Sequence, residues 1–463
     1  MPRSDCCGIP LRGAVTVLGC ALVVFCLGNG YTYGNMTPYM TSYLRNRSAL
    51  STDVRYADTL WISTGSILCS SFFMPILCMA EQYIPSRICI LVGGWTFSLG
   101  IAVTYFSVSY SFVTTILSYG VLYAMGKSMA YPISLRMAIK WFPGRKGLVI
   151  GIIDACYGGS AFALNQIITR FINPDNLSPD QDINNNHYFT QDSLLDRVPY
   201  CFLLLGGIYA ALSTVGVLLM KDPEVQAENG DAPGLKDTIQ EIGDTGIKED
   251  ENRDQRHDDD GSLSPMETLK TVRFYIIWLV YFSLGVSIDI FYGLYKPYGE
   301  TFITDDYFLS LVASFAAIAN ALGNLFWGFM VDRYSYKPVL VSLITACGVF
   351  QATLIATEYG GKAMYFIWVC CLGFSMNGIF SILPLIAIEM FGNKYYSVNY
   401  GLVHTAGIAF GLVGATISSQ SKDTLGWHGL FLLSAGISVI SFLLSLILYF
   451  KNWTMEKKSS SIL

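Results

Sequence analysis

The chain is poor in charge. Asp, Glu, Lys and Arg make up 14% of its 463 residues, against about 25% in a typical soluble domain. It also lacks the spacings that mark several chemistries. Its 12 cysteines fall almost entirely inside apolar runs. The loops expected on the outer face offer no cysteine pair, so no structural disulfide is expected. No Cys/His spacing marks a metal, and no nucleophile stands beside a base in the polar segments. In GVLYAMGKS five residues separate Gly120 from Gly126, one too many for a phosphate-binding loop, and no strand precedes it. The glycines of GNGYTYG are misspaced for a dinucleotide site. The expectation is therefore no enzyme, no metal and no cofactor.

What is present is apolar. Hydrophobic residues make up 52% of the chain and the mean hydropathy is +0.45, a composition that belongs to a membrane protein. The net charge of −5 is set by one stretch: residues 221–264 hold 14 Asp/Glu against 5 Lys/Arg, and the remainder is mildly basic. No basic stripe for nucleic acid is left. The acidic stretch carries Gly and Pro and few aromatics. It cannot bury enough apolar surface to offset its ordering entropy, so it is expected to be a disordered cytosolic linker, open to a cytosolic partner.

A bilayer crossing needs about 20 mainly apolar residues. Twelve such windows can be drawn, at 13–40, 56–80, 87–108, 112–140, 147–170, 199–220, 270–297, 307–330, 337–357, 363–388, 397–418 and 427–450. The expected fold class is an all-α membrane protein with twelve transmembrane helices in two pseudo-symmetric six-helix bundles. The expected domains are 1–220, the linker 221–264, and 265–463 with a short tail. The run AVTVLGCALVVFCLG has no convincing cleavage site and reads as a retained first helix rather than a signal peptide. Cys6 and Cys7 before it are candidates for palmitoylation, or ordinary thiols. Lys and Arg are in excess in the loops that put both termini in the cytosol. The plasma membrane is the default location.

One phrase occurs twice. YGNMTPY spans 33–39 near the outer end of helix 1, and YGLYKPY spans 292–298 near the outer end of helix 7. A six-helix offset is what a duplicated unit gives, and duplicated halves around a midplane site are a transporter architecture. A second echo pairs KWFPGRKGLVIGIIDACYGG, from Lys140, with IEMFGNKYYSVNYGLVHTAG, from Ile388. In these, Asp154 and His404 each stand three residues after a glycine, Gly151 and Gly401.

GFMVDRYSYK places Gly328, Asp332, Arg333 and Lys337 after helix 8. This resembles the G-x-x-x-D-R loop of the major facilitator superfamily. The place after helix 2 keeps only Glu81 and Arg87 of it, which reads as an eroded copy. The run from Tyr119 through KWFPGRKGL, with Arg145 and Lys146, is similar to the helix 4–5 region of oxalate/formate antiporter-like and monocarboxylate-transporter proteins. The resemblance implies two bundles rocking about a central cavity, with Gly328, Asp332, Arg333, Lys337, Arg145 and Lys146 in gating loops. It also implies cationic anchors in helices 8 and 11. Here those positions hold Asn324 and Gly407, so oxalate itself is not expected.

The residues left to carry chemistry are few. Lys127 falls mid-helix, where a charge costs about 2.5 kcal/mol or more and usually has a function. It could hold a substrate carboxylate, or pair with Asp154 or Asp289. Burial disfavours a charged carboxyl, so Asp154 and Asp289 are candidates for proton coupling or for fixed pairing. His404, with an ordinary pKa of about 6.5, is either a proton switch or a neutral hydrogen-bonded residue. Asn320 and Asn324 share a helix face, and with Asn377 they either line the cavity or hold helices together. Tyr33 and Tyr292 either bind substrate at an outer gate or belong to an interfacial aromatic belt.

The expected function is secondary active transport of a small organic solute, most of all a monocarboxylate or related organic anion, with protons as a candidate coupling ion. A neutral or zwitterionic solute such as an amino acid, and a non-transporting sensor, stay open.

Overall fold

The computed structural model describes residues 11–50, 54–183, 186–223, 261–303 and 305–450. The expected palmitoylation pair Cys6 and Cys7, most of the acidic linker and the tail after 450 lie outside the described residues. Apolar runs form helices throughout. α1 spans Leu11–Arg47, α2 Tyr56–Cys78, α3 Ser86–Tyr110, α5 Lys146–Ile172 and α6 Arg197–Leu219. α4 runs from Phe112 to Trp141. In the second half α7 spans Val272–Gly299, α8 Asp306–Tyr334 and α9 Tyr336–Thr353.

The remaining crossings are read from length and breaks. The apolar helical stretch Tyr336–Phe391 has 56 residues. As one straight helix it would be about 84 Å long at 1.5 Å per residue, far beyond a hydrocarbon core of about 30 Å. Gly361, at φ 64°, breaks it, so α9 is followed by α10, 362–391. Gly426, at φ 64°, likewise divides Ala406–Phe450. α11 then covers 396–425, with a step at Thr405, and α12 covers 427–450. Only glycine adopts this left-handed backbone freely, and each allows a tight reversal between antiparallel helices. Pro143 and Gly144 stop α4, and Ser111 caps it by accepting from the Thr114 N–H. Asp305 does the same for α8, accepting from the Phe308 N–H at 3.0 Å. Lys362 donates to the other oxygen of Asp305 at 2.7 Å and holds that carboxyl below its usual range.

The six helices before the linker form one bundle and the six after it another. α5 packs along α8, and α2 along α11, joining the two. The end of the molecule carrying Leu11, Trp141, Phe391 and Phe450 is called the base; the opposite end is the mouth. Among the described residues a small hairpin at the mouth departs from the helical pattern, β1 Gln181–Ile183 paired antiparallel with β2 Asn186–Tyr188. Phe189 after it packs on Tyr39, and its N–H donates to Ser42.

Candidate functional site

Two irregular turns shape the wall of the first bundle. α1 tightens into a 3₁₀ turn over Gly28–Thr32. Gly28 lies against the Tyr157 carbonyl and Ser160 of α5, so a side chain there has no room. α4 widens into a π turn over Ile116–Leu122, which carries Tyr119 toward α1; such turns concentrate at functional sites. Asn29 ties the two together. Its amide donates to the Tyr119 hydroxyl at 2.8 Å, and its carbonyl accepts from Tyr209 at 2.8 Å and from Thr32 at 3.1 Å. With Asn29 buried and engaged through both its amide and its carbonyl, the neighbouring Tyr31 is turned toward the second bundle. Its ring meets Tyr157 edge-on at 5.4 Å, and its hydroxyl donates to the Asn377 side chain at 3.4 Å.

Lys127 sits at mid-depth on α4. Its ammonium lies 5.5 Å from the centre of the Tyr157 ring, a cation–π contact. Among the described residues it makes no ion pair. Asp154 is occupied elsewhere: its carboxylate accepts from Tyr131 at 2.8 Å and from Ser381 of α10 at 3.2 Å. Lys127 is nevertheless half-buried rather than sealed.

The facing wall comes from α7, α10 and α11. α10 is interrupted at Asn377, and the Asn377 amide donates to the Tyr292 hydroxyl. A chain Tyr31–Asn377–Tyr292 thus crosses between bundles above Lys127. Tyr281 of α7 and Tyr400 of α11 flank His404, with ring centres 5.6 and 6.0 Å from it. The hydroxyls of Tyr281, Tyr396 and Tyr400 are buried without a partner among the described residues. His404 Nδ1 lies 3.3 Å from Ser71 Oγ of α2, and His404 is within electrostatic reach of Lys127.

Toward the base the bundles are shut against each other. Asn324 lies in the α5–α8 seam, donating to the Asp154 carbonyl at 3.3 Å and to Asn320 at 3.2 Å. Gly151 touches the Asn324 backbone, and a Cβ on Gly328 would stand 3.0 Å from the Gly147 carbonyl carbon. Asp332 accepts from the N–H groups of Gly147 and Leu148 at the start of α5, both at 2.7 Å. In the other seam Ser397 of α11 donates to Glu81 at 2.6 Å, and Arg136 pairs with Glu81 at 3.0 Å. Arg136 also donates to the Lys394 carbonyl at 3.2 Å. Arg145 and Arg333 are exposed, while Lys146 and Lys337 lie within electrostatic reach of Glu389 of α10.

The structure therefore gathers Lys127, Tyr292, Asn377 and His404 around mid-depth, and it packs Asp289, three residues before Tyr292 on α7, against Gly414 of α11. It puts Asn320, Asn324 and Asp154 into the contact below. Tyr33 points away: its hydroxyl donates to the Thr59 carbonyl and its ring stacks on Tyr119 at 6.3 Å. Tyr31, Tyr157 and Tyr281 were not singled out from the sequence. Only the paired glycines around Asn29 and Tyr31 hinted at a bent helix there. No group of three or more His, Cys, Asp or Glu able to hold a metal occurs among the described residues.

The family model described as Major Facilitator Superfamily matches residues 18–274 and 277–461. The chain is 25% identical to apicoplast pyruvate carrier 1 of Toxoplasma gondii over 90% of its own length and 85% of the relative's. It is 22% identical to the oxalate:formate antiporter of Oxalobacter formigenes, over 92% and 89% of the two chains. Among solved structures it is similar to the transporter FucP in its outward conformation, with a TM-score of 0.66, 13% identity, and 94% and 98% of the two chains covered. At that identity the likeness concerns the fold.

Proposed function

The chain belongs to the Major Facilitator Superfamily, and we propose that it is a secondary active carrier of a small monocarboxylate, moved by alternating access of its two bundles. The observation that carries this is Lys127: a cation at mid-depth, held on an aromatic ring, with no ion pair among the described residues. A cation in that position is expensive to keep without a task. A substrate carboxylate supplies the missing counter-charge and a charge-assisted hydrogen bond. Tyr31, Tyr292 and Asn377 then contact the rest of the solute. The names of the relatives, a pyruvate carrier and an oxalate:formate antiporter, support the same class. Because Asn324 and Gly407 stand where the resemblance implies cations, a single anchor favours one carboxylate over two.

In this reading the base faces the cytosol, following the excess of Lys and Arg there. The state described is sealed toward the cytosol and loads from the mouth. Proton coupling is assigned to Asp154. Its ionised form accepts the Ser381 hydroxyl on Oδ2 across the seam; a proton on that oxygen turns the acceptor into a donor and weakens the seal beneath the loaded site. The test is ligand protection. Pyruvate, lactate and formate should each raise the melting temperature of the purified protein, and Lys127→Ala should abolish the shift without lowering the ligand-free value by more than a few degrees. No shift with any of them in a folded parent protein would reject the class.

A further inference from the structure

We propose that Tyr123 and Tyr157 form a hydroxyl subsite beside Lys127 that selects monocarboxylates carrying an oxygen on carbon 2. The inference rests on the carboxylate reading above and adds the residues that decide which monocarboxylates are held.

Tyr123 stands four residues before Lys127 on α4, so the two share a face of that helix. Tyr157 of α5 borders the same space, since the Lys127 ammonium lies 5.5 Å from its ring centre. The two tyrosines are within electrostatic reach of each other. Their hydroxyls converge at the bend of α1. A Cβ on Gly30 would stand 3.2 Å from the Tyr123 hydroxyl and 4.0 Å from that of Tyr157. Gly30 itself is exposed. Because it has no side chain, the gap in front of both hydroxyls stays open, about one turn of α4 from Lys127.

The Tyr123 hydroxyl is buried and has no partner among the described residues. The Gly30 N–H and the Asn29 side chain approach its oxygen without closing a hydrogen bond. The Tyr157 hydroxyl has no hydrogen bond among the described residues either. Buried polar groups are ordinarily satisfied, so two such hydroxyls around one gap call for a ligand. The neighbouring hydroxyls are already committed: Tyr131 donates to Asp154, Tyr31 to Asn377 and Tyr209 to Asn29. The rings of the free pair are fixed. Tyr123 packs on Phe97 at 4.7 Å, and Tyr157 meets Tyr31 and Tyr131 at 5.4 and 5.9 Å. Both protons are therefore held in place and free to donate.

A solute whose carboxylate sits on Lys127 carries carbon 2 directly beside that group. An oxo or hydroxyl oxygen on carbon 2 accepts from Tyr123 and Tyr157. A plain alkanoate brings a methylene instead. It displaces the water that serves these hydroxyls without replacing its hydrogen bonds, which loses affinity. A site built to hydrogen-bond an oxygen rejects the analogue that lacks it. Pyruvate and propionate, three-carbon acids of one charge, differ at carbon 2 alone. Formate has no carbon 2 and reports the Lys127 anchor without the subsite.

The experiment is calorimetric binding of pyruvate, propionate and formate to the purified full-length protein at pH 7. The parent is compared with Tyr123→Phe, Tyr157→Phe and Gly30→Ala. The parent should prefer pyruvate over propionate by about tenfold or more. Each Phe variant should lower that ratio about fivefold, as the loss of one hydrogen bond does, and leave formate binding unchanged. Gly30→Ala puts a methyl into the gap and should weaken pyruvate while sparing formate, which gives a steric reading should a Phe variant fold poorly. A ratio unchanged in both Phe variants overturns the subsite, as does a parent that binds propionate as tightly as pyruvate. Equal losses of pyruvate and formate in the Phe variants also overturn it, because the tyrosines would then only position Lys127. A parent that binds neither pyruvate nor formate removes the carboxylate reading instead.

Discussion

Asp332, at the base end of α8, accepts the Gly147 N–H at the start of α5 at 2.7 Å. The acceptor belongs to one bundle and the helix terminus to the other. The first N–H groups of a helix have no partner within it, and its N-terminus carries partial positive charge. One carboxylate thus satisfies two orphan donors, with Leu148 as the second, and it can do so only while the base is closed.

Replacing Asp332 with Ala should therefore favour the base-open state. Loss of a capping acceptor costs about 1 kcal/mol, so the closed-to-open ratio should fall about fivefold. Spin-label distances between the base ends of α6 and α12 would report this as a larger population of the longer distance.

The second seam should respond more strongly. Glu81 has a side-chain exposure of 4% and pairs with Arg136. Removing one partner of a buried pair strands the other. Arg136→Ala should cost about 2–3 kcal/mol of closed-state stability, since Arg136 itself is partly solvated. A double-mutant cycle with Glu81→Gln should recover much of that loss.

Gly328 offers a steric test of the same motion. Its Cα approaches the Gly147 backbone too closely for a side chain. Gly328→Val should hold the base apart and stop transport while the protein stays folded, measured as lost uptake with an unchanged gel-filtration profile.

The architecture was legible in the sequence because twelve apolar windows and a six-helix offset need no side-chain detail. The site was legible only in part. The doubled phrase put Tyr33 and Tyr292 in matching places, yet Tyr33 is turned back onto Thr59 and Tyr119 while Tyr292 reaches Asn377. Equal letters gave unequal roles because α1 bends just before the phrase, over Gly28–Thr32, and α7 does not. The copy of the gating loop after α2 read as eroded. Glu81 still crosses to Ser397, because the contact needs an acid beyond the helix end and not the full glycine motif. Tyr157 gave no signal at all, since one tyrosine in an apolar helix resembles any other.

The bend in α1 should be held by Asn29. Asn29→Ala leaves the Tyr119 and Tyr209 hydroxyls buried without their partner, at about 1–3 kcal/mol for each group stranded. A drop in melting temperature is expected, together with weaker pyruvate binding as Tyr31 loses its placement. Asn29→Ala with unchanged stability would mean that the helix bend is set by packing alone.

The central claim is that Lys127 holds the carboxylate of the transported solute. Its most direct test is uptake of labelled pyruvate into proteoliposomes under an inward proton gradient, with Lys127→Ala and Lys127→Arg reconstituted beside the parent. The account predicts gradient-driven uptake by the parent, none above background by Lys127→Ala, and partial uptake by Lys127→Arg. Uptake by Lys127→Ala at the parent's rate would contradict it.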